Sequence, residues 1–189
     1  LDFSFHSKAF FDETLQALGY MCDVMSPEDV DGAVVNQILS AIVVGTAATQ
    51  TNIHIRLAAI KALNNSLDFT SKNFEIAPER DAIMMAICEC TQAPDQKIRE
   101  VAFECCATVA DLYYDKLAPY AETLFKLSTQ AIRADAQEVG MQAIEFWNTV
   151  CDQEIGIMED MEEGVTDLVF LRLIAQAAGG LVPLVLECM

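Results

Sequence analysis

Basic side chains are scarce in this chain: 11 lysines and arginines stand against 29 aspartates and glutamates, a net charge of -18. That imbalance argues against nucleic acid and anionic lipid as direct partners, because both are bound by cations that neutralise phosphate. Histidine is nearly absent. His6 and His54 show no ligand spacing with any cysteine, which leaves no histidine-centred metal site and no Cys/His pair to activate a nucleophile. A glycine-rich phosphate loop is missing too, and paired carboxylates are common only because the whole chain is acidic. No catalytic residue, metal ligand or cofactor is therefore assigned, and an enzyme is not expected.

Long apolar runs are also lacking. Ile38 to Ala48 and Leu181 to Leu186 are too short or too interrupted to span a bilayer, and no basic segment leads into an apolar core at the start, so membrane insertion is not expected. Five prolines and eight glycines are too few to break up long helices, and strand-like alternation is scarce. The cysteines (Cys22, Cys88, Cys90, Cys105, Cys106, Cys151 and Cys188) are odd in number and scattered along helix-period stretches. They form no disulfide framework and read as small buried thiols in a reducing compartment.

What the chain does have is apolar material, 53% of its residues, arranged in a repeat. Ile55-Arg56-Leu57-Ala58-Ala59, Ile98-Arg99-Glu100-Val101-Ala102 and Val139-Gly140-Met141-Gln142-Ala143 each open an apolar helix-period run. Ala59, Ala102 and Ala143 lie 43 and 41 residues apart, and Ala17 extends the series backwards by 42. This period predicts stacked helical hairpins, an all-α solenoid in which each unit buries its apolar face against its neighbours. One array over 1–189 is expected, with repeats near 1–28 (partial), 29–72, 73–116, 117–156 and 157–189 (partial). Leu1 opens without an initiator methionine, and Leu181 to Leu186 is apolar where a terminal repeat would present a polar cap, so further repeats are expected on both sides.

The pattern predicts helices over 12–25, 34–46, 53–69, 78–91, 96–114, 119–132 and 136–154. An acidic connector at 155–166 and a last helix from 167 to the end complete the chain, with Gly179-Gly180 as a possible bend. Ser26-Pro27 closes the first helix, Pro78 suits a first helical turn, and Asp95 suits an N-cap. Trp147 continues the stripe of Ala143 and Val150, which makes it core, and Tyr113-Tyr114 read as packing in the same way. Arg56 and Arg99 open successive inner helices and are expected to join repeat to repeat by pairing with nearby acids.

The repeat register places an acid nine residues beyond each alanine, at Asp68, Asp111 and Asp152. Glu104 and Glu145 lie two residues beyond theirs, at the position of Lys61, and Asn64, Ala107 and Asn148 lie five beyond. Two readings stand. Asp68, Glu104, Asp111, Glu145 and Asp152 form an inner ladder that pairs with a basic segment, each exposed pair worth about 0.2–1 kcal/mol; or Asp68, Asp111 and Asp152 cap turns or merely face water.

Several segments together resemble the importin-β family of nuclear import receptors: Thr14-Leu15-Gln16-Ala17-Leu18-Gly19-Tyr20-Met21-Cys22, Ile38-Leu39-Ser40-Ala41-Ile42, Ala62-Leu63-Asn64-Asn65-Ser66-Leu67-Asp68-Phe69, Glu89-Cys90-Thr91-Gln92-Ala93-Pro94-Asp95 and Ile144-Glu145-Phe146-Trp147-Asn148-Thr149-Val150-Cys151-Asp152. The likeness runs from about Thr14 to Glu154 and returns in Leu181-Val182-Pro183-Leu184, while 1–11 and 155–166 depart from it. It implies tandem HEAT repeats from an internal block of the receptor's amino-terminal half. It further implies phenylalanine-glycine nucleoporins on the outer face, an importin-α adaptor or basic cargo protein inside the arch, Ran GTPase as release signal in the full-length receptor, and residence in cytoplasm, nucleus and nuclear pore. By the same resemblance a nucleoporin pocket would be walled by Leu39, Ser40 and Val43 from one outer helix and Glu79, Ala82 and Ile83 from the next. Ala82 stands where the family pattern has phenylalanine, which implies a wider or shallower pocket.

Leu39 and Val43 are an i, i+4 pair able to present one apolar face, yet Leu39, Val43 and Ile83 also suit the interior of their own hairpins. The helix at 34–46 is apolar almost all round, more than a solvent-facing helix needs, which favours a second covered face. A different class also fits an open array: a static HEAT-repeat scaffold that holds the subunits of a multiprotein complex.

Overall fold

Every regular element among the described residues, 13–14, 17–21 and 31–188, is a helix in the structure, a computed structural model. The backbone divides into two units, Leu1–Cys105 and Cys106–Met189. Residues 13–14 and 17–21 are helical, as the first predicted helix requires; the rest of that helix, with Ser26-Pro27 and Cys22, lies outside the described residues.

In the first unit, α1 (Gly32–Thr46) begins where the Asp31 carboxylate accepts the Ala33 N–H at 2.9 Å, and α2 (Ile53–Ser66) begins where Asn52 accepts the His54 N–H at 3.0 Å. Such caps satisfy amides that the helix itself cannot. Val35, Leu39 and Ile42, one α1 stripe, are buried, and α1 packs on α2. Ala59, Ile60 and Leu63 of α2 are 0% exposed, so truncating Ile60 to alanine would cost about 2–5 kcal/mol. After a 3-10 turn at Leu67–Phe69 comes a five-residue helix, α3 (Ser71–Glu75), which packs on α4 (Ala77–Cys90); α1 also contacts α4. Asp95 caps α5 (Gln96–Leu112), accepting the Lys97 N–H at 2.9 Å and the Ile98 N–H at 3.2 Å. Cys105 Sγ reaches Ile60 O at 3.7 Å, seating α5 on α2.

The second unit starts inside α5 and continues through 3-10 turns at Tyr114–Lys116 and Ala118–Tyr120. It is completed by α6 (Ala121–Ala134), α7 (Gln137–Glu162) and α8 (Leu173–Glu187). Helices α6 and α7 pack together and α8 lies against both. Trp147 is core, as its spacing predicts: it meets Phe146 and Phe125 edge-on at 4.9 and 6.1 Å, and its indole N–H donates to Ser128 Oγ at 2.8 Å.

The structure corrects several expectations. The helix predicted to end at 154 runs to Glu162, because Met, Glu and Ile are adequate helix formers and only Gly156 interrupts them. It stops at Gly164, whose φ of 89° suits glycine; the Gly164 N–H donates to Met161 O and the Val165 N–H to Asp160 O, closing the last turn. The connector is therefore 163–172, and the last helix starts at Leu173 rather than 167. Arg56 takes up a backbone carbonyl in place of the expected acid, and the bonds of Arg99 include two backbone carbonyls. Arg56 Nε donates to Thr46 O at 3.2 Å and Arg99 to Ala93 O and Pro94 O at 2.8 and 2.9 Å, so each arginine takes up carbonyls at the end of the helix or turn before it. The thiols are not uniformly buried: Cys90, Cys105 and Cys106 are, Cys88 and Cys151 are half-buried, and Cys188 is exposed. Burial pushes the Cys88 and Cys90 thiols up to about 11, which keeps them protonated and unreactive near neutral pH.

Candidate functional site

In the first unit α1 and α4 leave a groove of about 370 Å³ between them. All six residues implied as a pocket line it: Leu39, Ser40 and Val43 on α1, Glu79, Ala82 and Ile83 on α4. Leu39 and Ile83 are buried at the base, Val43 and Glu79 are half-buried, and Ser40 and Ala82 are exposed at the rim. Two readings that seemed to compete are thus compatible, since Leu39 and Ile83 serve the hairpin interior and the groove at once. Ser40 Oγ donates to Asn36 O at 2.7 Å, which satisfies the hydroxyl within its own helix.

Two lining residues were not anticipated. Asn36 and Asn73 close the polar end of the groove, where the Asn73 amide donates to Asn36 Oδ1 and to Glu79 Oε2, both at 2.7 Å. Asn36 sits one helical turn before Leu39 and Ser40, so the α1 pattern alone was enough to find it. Asn73 belongs to α3, a helix with no periodic signature, and nothing in the sequence pointed to it. A second recess of about 260 Å³, with Gly32, Val35, Phe69 and Ile76 in its walls, adjoins the groove and shares Asn36, Asn73 and Glu79 with it.

The acids of the proposed ladder are distributed over both units. In the first, Asp68 is exposed on the 3-10 turn after α2. Glu104 is half-buried and lines a recess of about 300 Å³ with Lys61 and Asn64, positions that the repeat register assigns to a common face. Burial and then the neighbouring Glu100 hold the Glu104 carboxyl above its ordinary range, against the opposing pull of Lys61 and Lys97. In the second unit Asp111, Glu145 and Asp152 are all exposed. Asp111 accepts from Gln153 Nε2 at 3.0 Å, which joins α5 to α7, and Glu145 accepts from Asn148 Nδ2 at 3.3 Å. Of the register alanines Ala59, Ala102 and Ala143 are each 0% exposed while Ala17 is exposed, and Asp68, Asp111 and Asp152 are each exposed.

The chemistry available is that of contact rather than bond-making. The groove offers apolar walls and a carboxylate held by an amide, which suits an aromatic side chain with a backbone N–H beside it. Among the described residues no group of three or more His, Cys, Asp and Glu side chains could hold a metal ion, and no helix is long and apolar enough to cross a membrane.

No family model matches the chain. It is similar to importin subunit beta-1 of Arabidopsis thaliana, with 45% identity over 177 residues, covering 92% of this chain and 20% of the relative. Importin subunit beta-1 of Schizosaccharomyces pombe is 42% identical over 151 residues, covering 79% and 17%. Among solved structures, importin beta crystallised in ammonium sulfate superposes with a TM-score of 0.88 at 34% identity, over 93% of this chain and 21% of that one. A Kap95:Nup1 complex superposes with a TM-score of 0.86 at 35% identity, over 94% and 21%. So does a structure in which Kap95p binding induces the switch loops of RanGDP to adopt the GTP-bound conformation, with a TM-score of 0.86 at 34% identity over 93% and 21%. The chain spans about one fifth of the length of the curated relatives it matches.

Proposed function

Because the chain belongs to the importin-β family, we propose that it is a HEAT-repeat segment of a nuclear transport receptor, and that the groove between α1 and α4 binds the phenylalanine of phenylalanine-glycine nucleoporin repeats. One observation carries this reading: Leu39, Ser40, Val43, Glu79, Ala82 and Ile83, drawn from two helices some 40 residues apart, line a single groove of about 370 Å³. The solved Kap95:Nup1 complex, to which the chain is similar, supports a nucleoporin as the occupant. An aromatic ring fits an apolar slot of this kind, and a shallow slot with an exposed rim gives weak, short-lived contact. Short residence suits a carrier that must pass many such repeats.

The wider role follows from the family. The receptor carries protein cargo, taken up directly as a basic protein or through an importin-α adaptor, and releases it under control of Ran; it acts in cytoplasm, nucleus and nuclear pore. Similarity to the Kap95p structure with RanGDP supports Ran as a partner. Asp68, Glu104, Asp111, Glu145 and Asp152 supply acidic contacts for the basic cargo or adaptor, in keeping with a net charge of -18. The role is carriage, with no catalytic step.

Immobilised phenylalanine-glycine peptide tests the reading. The chain should be retained, and Val43→Asp or Ile83→Asp, each placing a charge against the apolar wall, should abolish retention while helicity by circular dichroism persists. A static scaffold would pass through the column unretained, and retention indifferent to both substitutions would remove the groove as the site.

A further inference from the structure

We propose that Asn73 is the positioning residue of the α1–α4 groove, the side chain that sets its width and depth and thereby the size of ring it accepts. This rests on reading the groove as a phenylalanine site. Asn73 contributes neither of the two groove walls; it stands on α3 with only 7% of its surface exposed. Its amide nitrogen carries two hydrogens, and both are used: one goes to Asn36 Oδ1 on α1 and the other to Glu79 Oε2 on α4, each at 2.7 Å. A single planar group supplied by a third helix therefore ties the two walls together. Two diverging N–H donors fixed in one planar amide leave little freedom in the distance between their acceptors.

The support behind Asn73 is stiff. Phe74, its neighbour, is 1% exposed, the Phe74 N–H donates to Thr70 O at 2.9 Å, and Arg80 of α4 donates to Phe74 O. A helix as short as α3 has no stability of its own, so these bonds and the buried Phe74 hold Asn73 in place. On the far side of the amide lies the second recess, and Asn36, Asn73 and Glu79 border both spaces. The amide bridge is accordingly a partition. With it in place the groove ends at about 370 Å³; without it the groove opens into a further 260 Å³ or so. The bond also fixes Glu79 at the groove edge, where a carboxylate can accept a backbone N–H beside a seated ring.

Two peptides and a small set of variants of the whole chain test this. The peptides are a phenylalanine-glycine repeat and the same sequence with tryptophan in place of phenylalanine, titrated by fluorescence anisotropy. The wild type should favour phenylalanine, and Asn73→Ala should cut that preference about tenfold by removing the partition. Asn73→Asp faces the Glu79 carboxylate with a second one and should weaken phenylalanine binding about tenfold. In Asn73→Asp with Glu79→Gln the new amide donates to the new carboxylate, and Asn36 with its amide turned over donates to it from the other wall, so affinity should return to that of Glu79→Gln alone, a recovery that mere loss of folding cannot produce. No wild-type preference for phenylalanine, an unchanged preference in Asn73→Ala, or a double variant no better than Asn73→Asp would each overturn the proposal. The phenylalanine reading is judged separately: if Val43→Asp abolishes binding while the Asn73 variants behave as wild type, only the role of Asn73 falls. If the wild type binds neither peptide, both fall.

Discussion

Tyr114 and Glu154 are 40 residues apart in the chain and 2.8 Å apart in space, the phenol donating to a carboxylate oxygen. That oxygen, on a side chain only 7% exposed, also accepts the N–H groups of Leu173 and Ile174, the first two amides of α8, and Tyr114 Oη in turn accepts the Leu171 N–H at 3.0 Å. A carboxylate from α7 thus caps α8, where the positive end of the helix favours it. Burial, reinforced by the bond to Glu154, holds the Tyr114 hydroxyl well above the ordinary phenol range, so it remains a donor throughout the physiological pH range.

Removing this latch should loosen one helix selectively. Tyr114→Phe deletes a bond to a charged acceptor and is expected to cost about 1.5–3 kcal/mol in urea denaturation, and Glu154→Ala, which leaves buried amides without a partner, should cost at least as much. Hydrogen exchange at Leu173 and Ile174 should quicken in both variants before that of α6 does. Equal protection of those amides in wild type and variants would show that α8 is capped another way.

The groove should respond to its rim. Ala82 is exposed at the edge, and Ala82→Phe would add an aromatic wall beside a bound ring, a contact worth about 0.5–1.5 kcal/mol. Titration with phenylalanine-glycine peptide should therefore show tighter binding in the variant, by up to about tenfold. Weaker binding would mean that the substituted ring fills the groove instead of framing it.

Neighbouring glycines in α8 should behave differently. A Cβ on Gly179 meets nothing within 4 Å, so Gly179→Ala should stabilise by about 0.5–1 kcal/mol through helix propensity and reduced freedom of the unfolded chain. A Cβ on Gly180 comes 2.7 Å from Phe125 Cζ, so Gly180→Ala must displace that ring, and the displacement should cancel the gain. Because Phe125 meets Trp147 edge-on, tryptophan fluorescence should change in Gly180→Ala and not in Gly179→Ala.

Glu104 links stability to pH. Its carboxyl is raised by burial, so the folded chain holds this proton to a higher pH than the unfolded chain, whose ordinary value is 4.5. The folded state therefore binds more protons in the window above 4.5, and Glu104 makes stability fall as pH rises through it. Glu104→Gln should lift the melting temperature at pH 7, with the advantage shrinking as pH is lowered to 4.5 and below. An advantage that grows on acidification would contradict the assignment.

Periodicity made most of the architecture legible. Ala59, Ala102 and Ala143 fall at repeat spacing and are all fully buried, and Asp95 caps the helix that its position indicated. Of the six groove residues, helical spacing pairs only Leu39 with Val43; Ser40, Glu79, Ala82 and Ile83 rest on the family resemblance. Asn73 was not legible because α3 is too short to show a period, and the end of α7 was misplaced because an acidic run reads as a connector although its residues tolerate a helix.

By itself the amino-acid order determined that the chain is helical, that its hairpins recur, and which stripe of each helix is apolar, because these depend on spacing along one helix. Tertiary structure alone decided where α8 begins and how the two walls of the groove are joined. Each of these depends on a hydrogen bond between groups remote in sequence, such as Glu154 with Leu173 or Asn73 with Asn36, and the partner of a polar side chain is settled only when packing brings it within 3 Å or so.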